Sequence, residues 1–178
     1  PVYNEPEGFE GGIGDWSAEN GVWQIGTPTS GPGSAHTGSN VAATVLSDLY
    51  GEPADTRLVS APFTVPTSDQ HPRLRFWQWY SFSTGDSGYV EVKGNSGVWE
   101  QARPAWQNTG SGVWTNPSID LTAWSGQEVT LAFHFKSVQV GPFGDTSTGW
   151  YIDDIAVATG VPVYNEPEGF EGGIGDWS

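Results

Sequence analysis

Apolar residues recur along this chain with a period of two. In "EVTLAFHFKSV", Val129, Leu131, Phe133 and Phe135 fall on one face, and Thr130, His134 and Lys136 on the other. That phase predicts an inward Phe pair and a solvent-facing His134. "GYVEVKG" repeats the pattern, opposing Val90 and Val92 to Tyr89, Glu91 and Lys93. "LRFWQWYSF" is too apolar for a loop and puts Trp77 and Trp79 on one face of a strand. "GWYIDDIAVA" predicts a last strand, apolar around two adjacent carboxylates. "GVWQIG", "SNVAATVL", "RLVSAPFTV" and "GVWEQA" are shorter candidates, and turn clusters such as "TPTSGPGSAHTGSN", "STGDSG" and "TNPSID" separate the strands. No window of a dozen residues keeps a helical period, and "SIDLTAWSGQ" reads as a loop with one turn. Roughly ten short strands with turns between them predict an all-β fold, a two-sheet antiparallel β-sandwich.

Composition excludes disorder. The 25 Gly and 13 Pro come with ten Trp, eight Phe and six Tyr, aromatic surface that an unfolded chain does not carry. Charge is one-sided, with 21 Asp and Glu against six Lys and Arg, a formal −15. That balance argues against nucleic-acid phosphates or anionic lipid as partners and suits divalent cations. There are no Cys and no Met, which removes thiol chemistry and fits an oxidising, extracellular setting. No stretch reaches the ~20 apolar residues of a membrane helix, so membrane insertion is not expected. Without a signal peptide the chain reads as a piece excised from a longer protein.

One feature alters the domain count. "PVYNEPEGFEGGIGDWS" stands at residues 1–17 and again, letter for letter, at 162–178, a period of 161 residues. That is the length of a domain, not of a solenoid unit. We therefore expect residues 1–161 to form one unit, with 162–178 as the linker and first strand of an identical next one. A duplicated cloning segment is the alternative, but "TGVPVYNEP" runs on like a natural linker. Setting aside Glu166, Glu168, Glu171 and Asp176 leaves 17 acids against six bases, so each unit carries −11. Phe9, Ile13 and Trp16 of the repeated segment are core candidates, while Pro162 and Pro167 would keep the junction extended.

In order along the chain, "GFEGGIGDWSAENGVWQIG", "AHTGSNVAAT", "RLVSAPFTV", "LRFWQWYSF", "SGYVEV" and "GWYIDDIAV" resemble the MAM-like jelly-roll domains of bacterial secreted proteins. Similar modules include those appended to immune-inhibitor-type metalloproteases and the cleaved-adhesin domains of secreted bacterial proteases. The resemblance covers nearly the whole unit; "FE" near the start and "GWYIDDI" at the end are its most specific elements. It implies a jelly roll whose first and last strands lie side by side, serving adhesion or binding rather than catalysis. It also implies a structural calcium ion near that junction.

Asp153 and Asp154 are the sharpest local feature. On a regular strand one carboxylate would point inward and the other outward, and the inward one needs a cation or several donors. Glu10 holds the "FE" position that the resemblance places near this strand. The expected metal ligands are therefore Glu10 with Asp153 or Asp154, and Glu171 in the second copy, with calcium as the cofactor. The alternative is a carboxylate satisfied by loop amides or by an Arg. The acidic turns around Asp86 and Asp145 are ion-site candidates or solvated turns. Trp77 and Trp79 are possible glycan contacts, and Trp99, Trp106 and Trp114 fall in a Trp-rich stretch, although core packing or loop anchoring takes most Trp residues.

Catalysis finds little support: His36, His71 and His134 are scattered, and there is no HExxH or GxSxG motif. A Lys–Asn crosslink would need a buried Lys, and Lys93 and Lys136 lie on the polar phase of their strands. The chain is thus expected to be a non-enzymatic, secreted or cell-surface repeat, an adhesin or fibre unit. Its partners would be neighbouring copies of itself, joined head to tail by strand donation and stiffened by calcium, and a glycan or surface protein. A carbohydrate-binding module is the alternative, and an appended domain of a secreted protease comes third.

Overall fold

A computed structural model describes residues 6–140 and 145–161. Its strands are, in chain order, β1 (Ser17–Glu19), β2 (Gln24–Gly26), β3 (Val41–Ala43), β4 (Ala54–Val59), β5 (Phe63–Thr64) and β6 (Arg73–Ser81). The second half supplies β7 (Ser87–Lys93), β8 (Glu100–Gln101), β9 (Trp106–Gln107), β10 (Ser118–Asp120), β11 (Glu128–Ser137) and β12 (Gly149–Ala158). Two 3₁₀ turns, Ser68–Gln70 and Thr122–Trp124, are the helical segments among the described residues; the second lies in "SIDLTAWSGQ", where one turn was expected.

The strands form two antiparallel sheets, as the alternation predicts. One runs β1-β4-β11-β7-β8, with β5 beside β11 and β9 beside β7; the other runs β10-β6-β12-β3-β2. Leu58, Val90, Val92, Leu131, Phe133 and Phe135 face across to Leu74, Phe76, Trp150 and Ile152, all essentially inaccessible to water. Phe76 and Phe133 meet edge to face at 4.9 Å, a favoured aromatic geometry. Polar side chains on the inward phases find partners: Thr56 of β4 donates its hydroxyl to the Glu19 carbonyl. Gln78 is on the inward phase of β6, and its Oε1 accepts the Trp150 indole N–H at 2.9 Å, so burial leaves neither group unpaired. Gly149 (φ +91°) opens β12, where a Cβ would collide with the Thr44 hydroxyl.

The beginning and end of the unit lie side by side, as the resemblance implies. Glu7 and Ile155 exchange backbone hydrogen bonds of 2.8 and 3.0 Å. Phe9 is fully buried and meets Trp16 edge to face at 6.0 Å, and Trp16 in turn packs on Phe133. Ile13 differs from expectation: it is 37% exposed, because the turn spanning residues 10–15 carries it away from the pair it was grouped with. Residues 162–178, with Glu171, lie outside the described residues.

The outward face of the seven-stranded sheet corrects the reading of His134. It has the predicted phase but is covered. Its Nε2 lies 2.7 Å from Asp55 Oδ1 and its Nδ1 3.1 Å from Glu91 Oε1. Arg57 Nε donates to Glu91 Oε2 at 2.8 Å, and Lys136 reaches Asp55 at 3.3 Å. Side chains from three neighbouring strands thus close over the ring, a cover that period two cannot reveal.

Candidate functional site

The two adjacent aspartates do not point to opposite faces. Asp154 adopts φ +49°, and the β12–β6 register shifts between Asp153 and Ala156. This bulge inserts an extra residue, so Ile152 and Ile155 both enter the core while both carboxylates turn to the outward side. They meet the loop 36–40. Asp153 Oδ2 accepts the backbone N–H groups of His36 (3.0 Å) and Thr37 (3.1 Å), and its Oδ1 accepts that of Asp154 (2.8 Å). Asp154 takes the Thr37 hydroxyl at 2.7 Å and pairs with His36 Nδ1 at 2.8 Å.

Glu10 grips the other end of the same loop. Its Oε1 accepts the N–H groups of Ser39 (2.9 Å) and Asn40 (2.7 Å), which hold its carboxyl below the ordinary range. Gly38 (φ +59°) permits this approach, since a Cβ there would strike the Glu10 carboxylate. Burial acts the other way on Asp153, which is inaccessible to water. It lifts the carboxyl to about 6 against the pull of its amide donors, and the Asp154 charge adds to the rise.

The three expected ligands therefore converge on one loop, whose amides, Thr37 hydroxyl and His36 imidazole engage them. Among the described residues, no three His, Asp or Glu side chains stand close enough together to hold a metal ion. The aspartates alone do share a cradle. A Cβ on Gly8 would lie 3.4 and 3.5 Å from Oδ1 of Asp153 and Asp154, so both oxygens overlook that glycine. Carboxylate oxygens are hard ligands of the kind calcium takes, whereas Glu10 is turned toward the Ser39 and Asn40 amides.

Next to this clasp of Glu10, Asp153 and Asp154 on the loop 36–40 runs the aromatic outward face of the five-stranded sheet. Trp77 and Trp79 share a face as predicted, each partly exposed. His36 stacks on Trp77 at 3.8 Å and 15°, and Trp114 meets His36 edge on at 5.9 Å. Trp79 meets Tyr151 edge to face at 5.6 Å, and Ser30 bonds the Tyr151 hydroxyl at 2.7 Å. One ring face of Trp77 is thus already occupied. His36 escaped sequence reasoning although it joins the clasp to this surface. The one available signal was its place beside small polar residues in "AHTGSN", a loop rich in free backbone amides.

Two acidic turns resolve differently. Asp86 is fully buried rather than solvated: it accepts the Tyr50 hydroxyl and the Val138 N–H (2.8 Å). Burial first, and the Asp86 carboxylate next, raise the Tyr50 phenol well above its ordinary value. Asp145 is exposed and accepts the Ser83 hydroxyl at 2.9 Å.

No family model matches the chain. Bacillopeptidase F of Bacillus subtilis (strain 168) is 35% identical over 155 residues, 84% of this chain but 10% of the relative, so the match is to a small part of a longer protein. Among solved structures, TmCBM61 in complex with β-1,4-galactotriose superposes with a TM-score of 0.62 at 18% identity, over 90% of this chain and 99% of that one. The K2 cleaved adhesin domain of Lys-gingipain gives 0.59 at 17% identity, over 87% and 97%. The CBM22-1 xylan-binding domain of Paenibacillus barcinonensis Xyn10C gives 0.55 at 13%, over 92% and 97%. The chain has the sandwich fold of these adhesin and carbohydrate-binding domains.

Proposed function

We propose that this chain is a non-catalytic binding module of an extracellular multidomain protein, and that successive modules join head to tail through the repeated segment. The carrying observation is the use made of the first copy. Its Glu7 bridges to Ile155 of β12, and its Phe9 and Trp16 complete the core. A second copy with the same residues at 168, 170 and 177 matches the slot that the first copy fills, and would enter a neighbour's slot by displacing that neighbour's own first copy. It begins the next repeat, or adds to a neighbour by strand donation. The peptidase relative and the adhesin-domain fold support a place within a longer surface or secreted protein. Sedimentation of the full chain over a concentration series tests the reading. We expect assemblies that grow with concentration and are lost in Phe170→Asp without a change in folding. A chain that stays monomeric and ignores Phe170→Asp would overturn it.

Calcium belongs to this proposal. Asp153 and Asp154 would supply its first oxygens, and Glu10 would join only by leaving its amide donors. Chelation followed by thermal melting tests the ion: a lowered Tm supports it, and an unchanged Tm removes it.

A glycan-binding role is the second reading, favoured by the partly exposed Trp77, Trp79 and Trp114 on one face and by the galactotriose and xylan named for modules of the same fold. Glycan-array binding by the isolated unit would favour it over a purely structural repeat.

A further inference from the structure

Away from the clasp, the β6–β10 edge of one sheet and the β8–β9 edge of the other diverge into a cleft of about 280 Å³. Tyr80, Thr115, Pro117 and Ser118 line one side, Arg103 and Trp106 the other. The Arg103 guanidinium lies over the Trp106 ring at 3.6 Å from its centroid. Its Nη1 is sealed from solvent without an acceptor, and no described carboxylate forms an ion pair with it. This is unusual in a chain with 21 acids for six bases. Of the basic side chains on the seven-stranded sheet, Arg57 pairs with Glu91, Lys136 with Asp55, and Lys93 lies over the Trp99 ring at 4.5 Å. Arg103, in the bend after β8, holds its charge in a recess while the residue stays partly exposed, and desolvation there lowers its affinity for its proton.

From this arrangement we infer that the cleft between the sheet edges binds a single uronate, a sugar ring bearing a carboxylate, with Arg103 as the carboxylate receptor. A planar guanidinium matches a carboxylate, and a charge-assisted pair in a recess is stronger than a neutral hydrogen bond. The apolar faces of Trp106 and Pro117 suit the ring, and the hydroxyls of Tyr80, Thr115 and Ser118 suit its substituents. The volume accommodates one ring. The net charge of −15 repels a polyuronide and leaves a lone acidic sugar on a neutral glycan as the fitting ligand. The inference rests on the glycan-binding reading above and goes beyond it in naming a second subsite and its chemistry.

Titration of the full chain with glucuronate, its methyl ester, glucose and a carboxylate-terminated neutral tripeptide tests it, followed by NMR at the indole N–H groups. Glucuronate should bind at least about tenfold more tightly than the ester or glucose, and Arg103→Gln should remove that preference. Arg103→Lys should restore part of it at an unchanged Tm. Equal binding of glucuronate and glucose, or a preference that survives Arg103→Gln, overturns the uronate site while leaving glycan binding standing. Tighter binding of the tripeptide overturns the sugar assignment. Absence of binding to every sugar here and on a glycan array overturns the glycan reading itself.

Discussion

On the outward face of the seven-stranded sheet, His134 sits between Asp55 and Glu91, with Arg57 and Lys136 completing a chain of side chains in which acidic groups alternate with basic ones. On the outward face of the five-stranded sheet, the same strand phase carries Trp77, Trp79 and Tyr151, with one pair of carboxylates beside them. The first face meets its own charges with its own cations, strand against strand. The second has two aspartates with His36 as the one basic group in contact among the described residues, and relies on backbone amides from a loop more than 100 residues away in sequence. A face that neutralises itself is a stability element. A face that borrows donors from a loop couples its chemistry to where that loop sits, and it is there that the exposed aromatic rings lie.

The largest effect should come from the self-neutralised face. Glu91→Ala strips Arg57 and the buried His134 of their shared acceptor and should cost about 3–5 kcal/mol in urea denaturation. A cost within error would mean that the charges are independent. Asp153→Ala should cost about 2–3 kcal/mol, since three amide N–H groups lose their acceptor, with faster hydrogen exchange at residues 36–37 and no change at residues 57 and 91.

The pH dependence separates the faces by sign. Burial raises Asp153 from 3.8 to about 6, so the folded state holds that proton more tightly than the unfolded one. Its contribution to stability is therefore full below about pH 4 and lost as pH rises through 6. Asp55 has the opposite sign: burial would raise it, but the bonds to His134 and Lys136 prevail and lower it. Its contribution is present above the unfolded value and lost as pH falls through the folded one. Acidification from pH 7 to 4.5 should thus stabilise the wild type relative to Asp153→Asn, and the two curves should run parallel if the clasp is not the cause. Smallest of all, His36→Ala removes one stacked ring and one carboxylate contact and should cost about 1 kcal/mol in thermal melting.

Much of this was legible in the residues. Period two in β7 and β11 assigned the inward Val90, Val92, Val129, Leu131, Phe133 and Phe135, because a pleated strand leaves the side chain no other choice of face. The clasp was legible only in part. Glu10, Asp153 and Asp154 were singled out and do meet one loop, but the opposed orientation expected of the aspartates failed at a bulge. A left-handed Asp154 leaves no periodic trace, because the extra residue is visible only against the partner strand. His36, Gly38 and Arg103 escaped for a related reason: each matters through what it touches across the fold.

The amino-acid sequence by itself determined the fold class, the inward phase of β7 and β11, the excess of negative charge and the existence of a second copy of residues 1–17. These follow from local rules, namely strand periodicity, composition and literal repetition. Tertiary structure alone decided that His134 is covered, that Asp86 is buried against Tyr50, that two neighbouring carboxylates share a side, and that Arg103 faces a cleft. Each of those depends on distances between segments far apart in the chain, and such distances are set by how two twisted sheets pack, not by any pattern along one strand.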